Sequence, residues 1–160
     1  MSSSDIKPIV VGVDGSPAAT AALRWALDEA GIRDRPVHVV NAWDYEPLVD
    51  WDETSGQRAR ASSEALVEEV IGEAVIGRTE SPLVVRRCLR GTAAEVLESA
   101  SRDADLLVVA SHTGHRLRDV VLGSTSAHCV RHATVPVVVI PAQDTPSTAK
   151  IASGHAADHG

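Results

Sequence analysis

The residues best suited to chemistry lie in two places. One is a polar segment, Ser111-His112-Thr113-Gly114-His115-Arg116, that runs on to Gly123-Ser124-Thr125-Ser126. It combines a glycine, two histidines and a guanidinium with three consecutive hydroxyls at the expected start of a helix. Backbone N–H groups and the helix dipole point the same way there, so such a segment is suited to holding an anion. Arg116 suits the geometry of a phosphate, and His115 can add charge. The other place is Asp14, in Asp14-Gly15-Ser16-Pro17. Its carboxylate can accept hydrogen bonds from a ribose or base, approach a metal, or simply satisfy the amides of its own turn. Capping alone would explain one hydroxyl of Ser124, Thr125 and Ser126; three in a row favour contact with a phosphate.

Both places sit at the ends of predicted strands. Lys7 to Val13 and Asp105 to Ala110 are apolar runs too short for ordinary helices, and read as buried strands. Further strands are expected at Val37 to Trp43, Leu83 to Leu89 and Val135 to Ile140. Between them the pattern predicts helices over Ala18 to Ala30, ended by Gly31, over Gln57 to Ile76, from Gly91-Thr92 to about Arg102, and over Gly123 to His132. In the second helix Ala61, Ala65, Val67, Val70, Ile71 and Ala74 supply the apolar side. Asp44 to Gly56 is a long acidic connection, of a length often tied to function or to a surface flap.

Alternating strands and helices predict an α/β fold: a five-stranded parallel sheet, order 3-2-1-4-5, with helices on both faces, Rossmann-like. The crevice lies between strands 1 and 4, outside their carboxyl ends, where Asp14 and Ser111 begin their loops.

This arrangement resembles the universal stress protein family, over roughly Lys7 to Ala142. Nucleotide-binding members carry Gly-x2-Gly-x9-Gly-Ser/Thr in the loop after strand 4. Here Ser111 stands at the first glycine, Gly114 at the second, and eight residues separate Gly114 from the Gly123-Ser124 pair. The resemblance implies the adenine nucleotide alpha hydrolase-like variant of this sheet and a site for ATP, with Mg as a possible companion. Asp14 would serve the nucleotide, Val13 would meet the base through its backbone, and Ala42 would pack on the ring. Ser111, His112, Thr113 and Gly114 would form the phosphate-side wall, with Arg116 neutralising phosphates and Gly123, Ser124, Thr125 and Ser126 offering amides and hydroxyls; Ala110, at the end of strand 4, would also touch the nucleotide. It implies binding weaker than with an intact loop, and at most slow hydrolysis or self-phosphorylation. The rival expectation is a member without nucleotide that acts as a dimeric protein-interaction scaffold.

The totals narrow the field. At 160 residues the chain fits one domain, expected over 1–142, with a disordered tail over 143–160. A net charge of −7 argues against a nucleic-acid partner. No apolar run approaches the roughly 18 residues of a membrane span, and no signal-peptide pattern is present, so a cytoplasmic protein is expected. The two cysteines, Cys88 and Cys129, read as buried free thiols in a reducing compartment. His128 and His132, four apart on a predicted helix, have a metal-binding spacing but no evident third ligand, so no metal site is expected. No Walker A loop, GxGxxG fingerprint, GxSxG elbow or HExxH pair occurs, and no catalytic residue is assigned. The final strand lies at a sheet edge, is uncharged and is apolar on both faces, so a homodimer through Val135 to Ile140 is expected.

Overall fold

The computed structural model describes residues 5–45, 54–111 and 122–142. His112, Gly114 and Arg116 of the anticipated phosphate wall, most of the acidic connection, and the segment 143–160 lie outside those residues. The elements are β1 (Ile9–Gly12), α1 (Pro17–Arg33), β2 (Val37–Trp43), α2 (Thr54–Ala74), β3 (Val84–Arg90), α3 (Ala93–Ser101), β4 (Leu106–Ala110), α4 (Ser124–His132) and β5 (Val137–Ile140). The sheet is parallel throughout, in the expected order β3-β2-β1-β4-β5.

Strand alternation divides the core into two layers. Ile9, Val11, Val37, Val39, Leu106 and Val108 pack under α1 and α2. Val10, Val40, Leu107 and Val109 face α3 and α4, where Val96, Leu97 and Cys129 cover them. Both faces of each central strand are therefore buried, as their unbroken β-branched runs require.

Several boundaries differ from expectation. Helix α1 does not stop at Gly31; it runs to Arg33 and ends at Asp34, whose φ of 55° is left-handed. Asp tolerates that region better than most residues, and the Asp34 N–H closes the turn on the Ala30 carbonyl. Arg33 ties this last turn to Glu29 at 2.7 Å and to Asp105 at 2.9 Å. Helix α2 starts three residues early, at Thr54. Its buried stripe is Ser63, Val67, Val70, Ile71 and Ala74, while Ala61 and Ala65 are exposed. The 3.6-residue phase set by the four apolar positions leads back to Ser63, not to either alanine. The last strand begins at Val137 rather than Val135, although the Pro136 carbonyl already accepts the Leu107 N–H at 3.0 Å.

Candidate functional site

Helix α1, which follows β1, packs on one face of the sheet and α4, which follows β4, packs on the other, so a crevice is left between the carboxyl ends of the two strands. A cavity of about 230 Å³ opens there among the described residues. Of the sequence-predicted residues, Val13, Asp14, Ala42, Ala110, Gly123, Ser124, Thr125 and Ser126 all line it. Ser111 does not; it is fully buried beside the cavity wall.

On the β1 side, Ser16 caps α1: its Oγ accepts the Ala19 N–H at 3.2 Å, and Pro17 follows in the first turn. Asp14 Oδ1 accepts the Ser16 N–H at 3.0 Å, which fixes the carboxylate at the rim of the cavity. Gly15, at φ +83°, supplies the left-handed turn between them. Gly12 lets α3 approach closely, since a Cβ there would meet Leu97 Cδ1 at 2.7 Å.

On the β4 side, the residue at the N-cap of α4 is Gly123, not Ser124, and it makes no side-chain cap bond. The first-turn N–H groups therefore lack the partner a capping hydroxyl would give. One of the three hydroxyls is committed to the fold: Ser126 Oγ donates to the Ala110 carbonyl at 2.8 Å, pinning α4 to the end of β4. Ser124 and Thr125 are the pair left facing the cavity. The Ser111 N–H donates to the Ile140 carbonyl at 2.9 Å, and its Oγ has no partner among the described residues.

Sequence reasoning missed Asn41, which lines the cavity from β2. Its Nδ2 donates to the Val13 carbonyl at 2.7 Å, and its Oδ1 accepts from Ser63 Oγ of α2 at 2.6 Å. The signal was present: one amide inside Val37-His38-Val39-Val40-Asn41-Ala42-Trp43, and one serine on the apolar stripe of α2. The Val13 N–H is also taken, by the Val40 carbonyl at 2.9 Å. Both backbone groups of Val13 are thus engaged within the protein, which removes the basis for expecting its backbone to be the principal reader of a base.

Around the site, Arg90 stacks over Tyr45 at 4.5 Å and lies 3.7 Å from Asp44, holding the start of the acidic connection. Below the mouth, His128 Nε2 and Glu98 Oε2 are 2.7 Å apart and join α4 to α3. That hydrogen bond, with the histidine charge, holds the Glu98 carboxyl below its usual range. The His132 ring lies 4.4 Å from that of His128. Among the described residues no group of three His, Cys, Asp or Glu side chains is placed to hold a metal. Burial, and then the charge of Glu98, push the Cys129 thiol up, which keeps it protonated and inert. Cys88 is a half-buried free thiol. No described helix is long and apolar enough to cross a membrane.

A parallel 3-2-1-4-5 sheet with a cavity at its switch point defines a Rossmann-like α/β protein. Residues 5–141 match the profile of the Universal stress protein family, and the chain belongs to that family. It is 31% identical over 147 residues to a universal stress protein of Mycolicibacterium smegmatis, covering 85% of this chain and 48% of that protein. It is 35% identical over 138 residues to one of Mycobacterium tuberculosis, covering 84% and 48%. The chain thus spans about half the length of these curated relatives. Among solved structures, a universal stress protein in complex with cAMP superposes with a TM-score of 0.61 at 21% identity, over 84% of this chain and 95% of that one. The universal stress protein from Archaeoglobus fulgidus in complex with dAMP gives 0.53 at 24%, over 84% and 97%. At those identities the likeness concerns the fold.

Proposed function

We propose that this protein binds an adenine nucleotide, ATP with Mg as the fullest form, in the cavity between β1 and β4, and acts as a regulatory module with little or no turnover. The observation that carries the reading is the pairing of Asp14 with the uncapped start of α4 across one cavity. A carboxylate suits ribose hydroxyls, and a helix N-terminus with Ser124 and Thr125 suits phosphate oxygens. Two proteins of the same fold hold cAMP and dAMP, which favours an adenine nucleotide over other anions. His112, Gly114 and Arg116 would complete the phosphate side. Among the described residues that line the cavity Asp14 is the one titratable side chain, and the reading assigns it to the ribose, so any hydrolysis or self-phosphorylation would be slow.

Calorimetry with Mg-ATP tests the reading. Heat saturating below millimolar nucleotide is expected, and Gly123→Asp, which sets a carboxylate against the phosphates, should abolish it. No heat at millimolar ATP would transfer the protein to the scaffold reading, in which a dimer joined through β5 presents a surface to a protein partner.

A further inference from the structure

We propose that Asn41, held by Ser63, is a positioning residue that ends the β1–β2 ladder one rung early and keeps the Ala42 N–H turned to the cavity as a donor for the base. The inference rests on the nucleotide reading of the cavity.

The ladder shows which groups face where. Ile9 N–H bonds the Pro36 carbonyl and Val13 N–H bonds the Val40 carbonyl, so the even-numbered residues of β2 turn their backbone groups toward β1. Val37 N–H bonds the Leu83 carbonyl, and the Trp43 carbonyl accepts from Gly91, so the odd-numbered ones turn toward β3. The next rung on the β1 side would run from the Ala42 N–H to the Val13 carbonyl. It is not made among the described residues, and the register of β1 on β2 stops at Gly12 opposite Val40. The Val13 carbonyl instead accepts from Asn41 Nδ2 at 2.7 Å.

Asn41 cannot turn its amide over without cost. Reversal would set its oxygen against the Val13 carbonyl, two acceptors face to face, and would lose the bond that Oδ1 accepts from the Ser63 hydroxyl at 2.6 Å. Ser63 is itself only 3% exposed, so water is a poor substitute partner. Helix α2 therefore holds Asn41, Asn41 bonds the Val13 carbonyl, and Ala42, whose N–H is not bonded to that carbonyl, lines the cavity. A purine ring nitrogen accepts a hydrogen bond edge-on, and a β-strand end whose neighbour has turned away can supply the donor without a side chain.

The test joins amide hydrogen exchange of the nucleotide-free protein, followed by NMR, to calorimetry with ATP and with tripolyphosphate. In the wild type the Ala42 amide should exchange rapidly. In Asn41→Leu, whose side chain cannot donate and adds no charge to the cavity, the Val13 carbonyl is released to Ala42. The Ala42 amide should then slow by about tenfold or more, the worth of one hydrogen bond. ATP affinity should fall by about tenfold, the equivalent of that bond, while tripolyphosphate affinity stays within about twofold. Ser63→Ala should move both readouts in the same direction by less. A protected Ala42 amide in the wild type, or ATP and tripolyphosphate weakening together, would overturn the proposal. If the wild type binds neither ligand, the nucleotide reading and the base-donor role fall together, and the exchange contrast alone decides whether Asn41 ends the ladder.

Discussion

His38 shows how one residue can set a pH limit on the fold. It lies on the α3 face of β2, with a buried Nδ1 that has no partner among the described residues. Burial first, and the Arg87 charge second, push its imidazole below the ordinary value. The unfolded chain therefore takes up a proton first as pH falls. The contribution of His38 is full above about pH 6.5, the ordinary value, and is lost as pH drops toward the folded one. Denaturant midpoints measured between pH 7 and 5 should fall for the wild type and change less for His38→Gln; parallel curves would remove His38 as the cause. Gly12 sets a second limit. Gly12→Ala drives a methyl into Leu97, buried beneath α3, and should cost about 1–3 kcal/mol in chemical denaturation. A midpoint at the wild-type value would mean that α3 shifts freely.

At the scale of elements, caps decide where helices begin, and the two helices that open at the cavity are capped differently. Helix α1 has a side-chain cap in Ser16, whereas α4 has none among the described residues. Ser16→Ala should destabilise the fold by about 1 kcal/mol. It should also weaken nucleotide binding, because the Ser16 N–H that orients Asp14 belongs to the same turn. Loss of stability without loss of affinity would separate Asp14 from the site. Helix α4 is secured by other means, the Ser126 bond to β4 and the Glu98–His128 contact to α3. Because the folded Glu98 carboxyl lies below its usual range, that clasp is intact above the ordinary carboxylate value and is lost as pH falls through the folded one. These contacts leave the first turn of α4 open, which a capping hydroxyl would have closed.

For the whole molecule the question is what meets the sheet's two edges. The β3 edge carries Arg86, Arg87 and Arg90, charges that discourage strand pairing. The β5 edge, Val137–Ile140, carries none; its side chains are half-buried, Val138 and Ile140 on one face and Val137 and Val139 on the other. Among the described residues β5 pairs with β4 alone. A second copy paired antiparallel about a twofold axis is the proposed cover. Light scattering should show a dimer at micromolar concentration, and Val138→Lys should shift it toward monomer. A wild-type monomer, or a mutant dimer as tight as the wild type, would defeat the interface.

The fold was legible because each of its determinants is local. Runs such as Ile9-Val10-Val11 and Leu106-Leu107-Val108-Val109 announce strands buried on both faces, and helices between them impose parallel pairing and right-handed crossovers. From that order alone the crevice between strands 1 and 4 follows, with Asp14 at its mouth; the hydroxyls of Ser124 to Ser126 and the family resemblance, which added Ala42 and Ala110, supplied the rest of the expected lining. Helix ends were less legible. Gly31 has the residue type of a stop, but the chain turned three residues later, where Asp34 could be held by the Ala30 carbonyl and Arg33 by Asp105. What tertiary structure alone decided is how hydrogen bonds are shared among distant segments. Asn41 and Ser63 stand 22 positions apart, and Ser126 and Ala110 stand 16 apart. Nothing in either residue type says which acceptor it will meet. Periodicity reports which side of an element is buried; the partner of a buried polar group depends on which elements the packed core brings face to face.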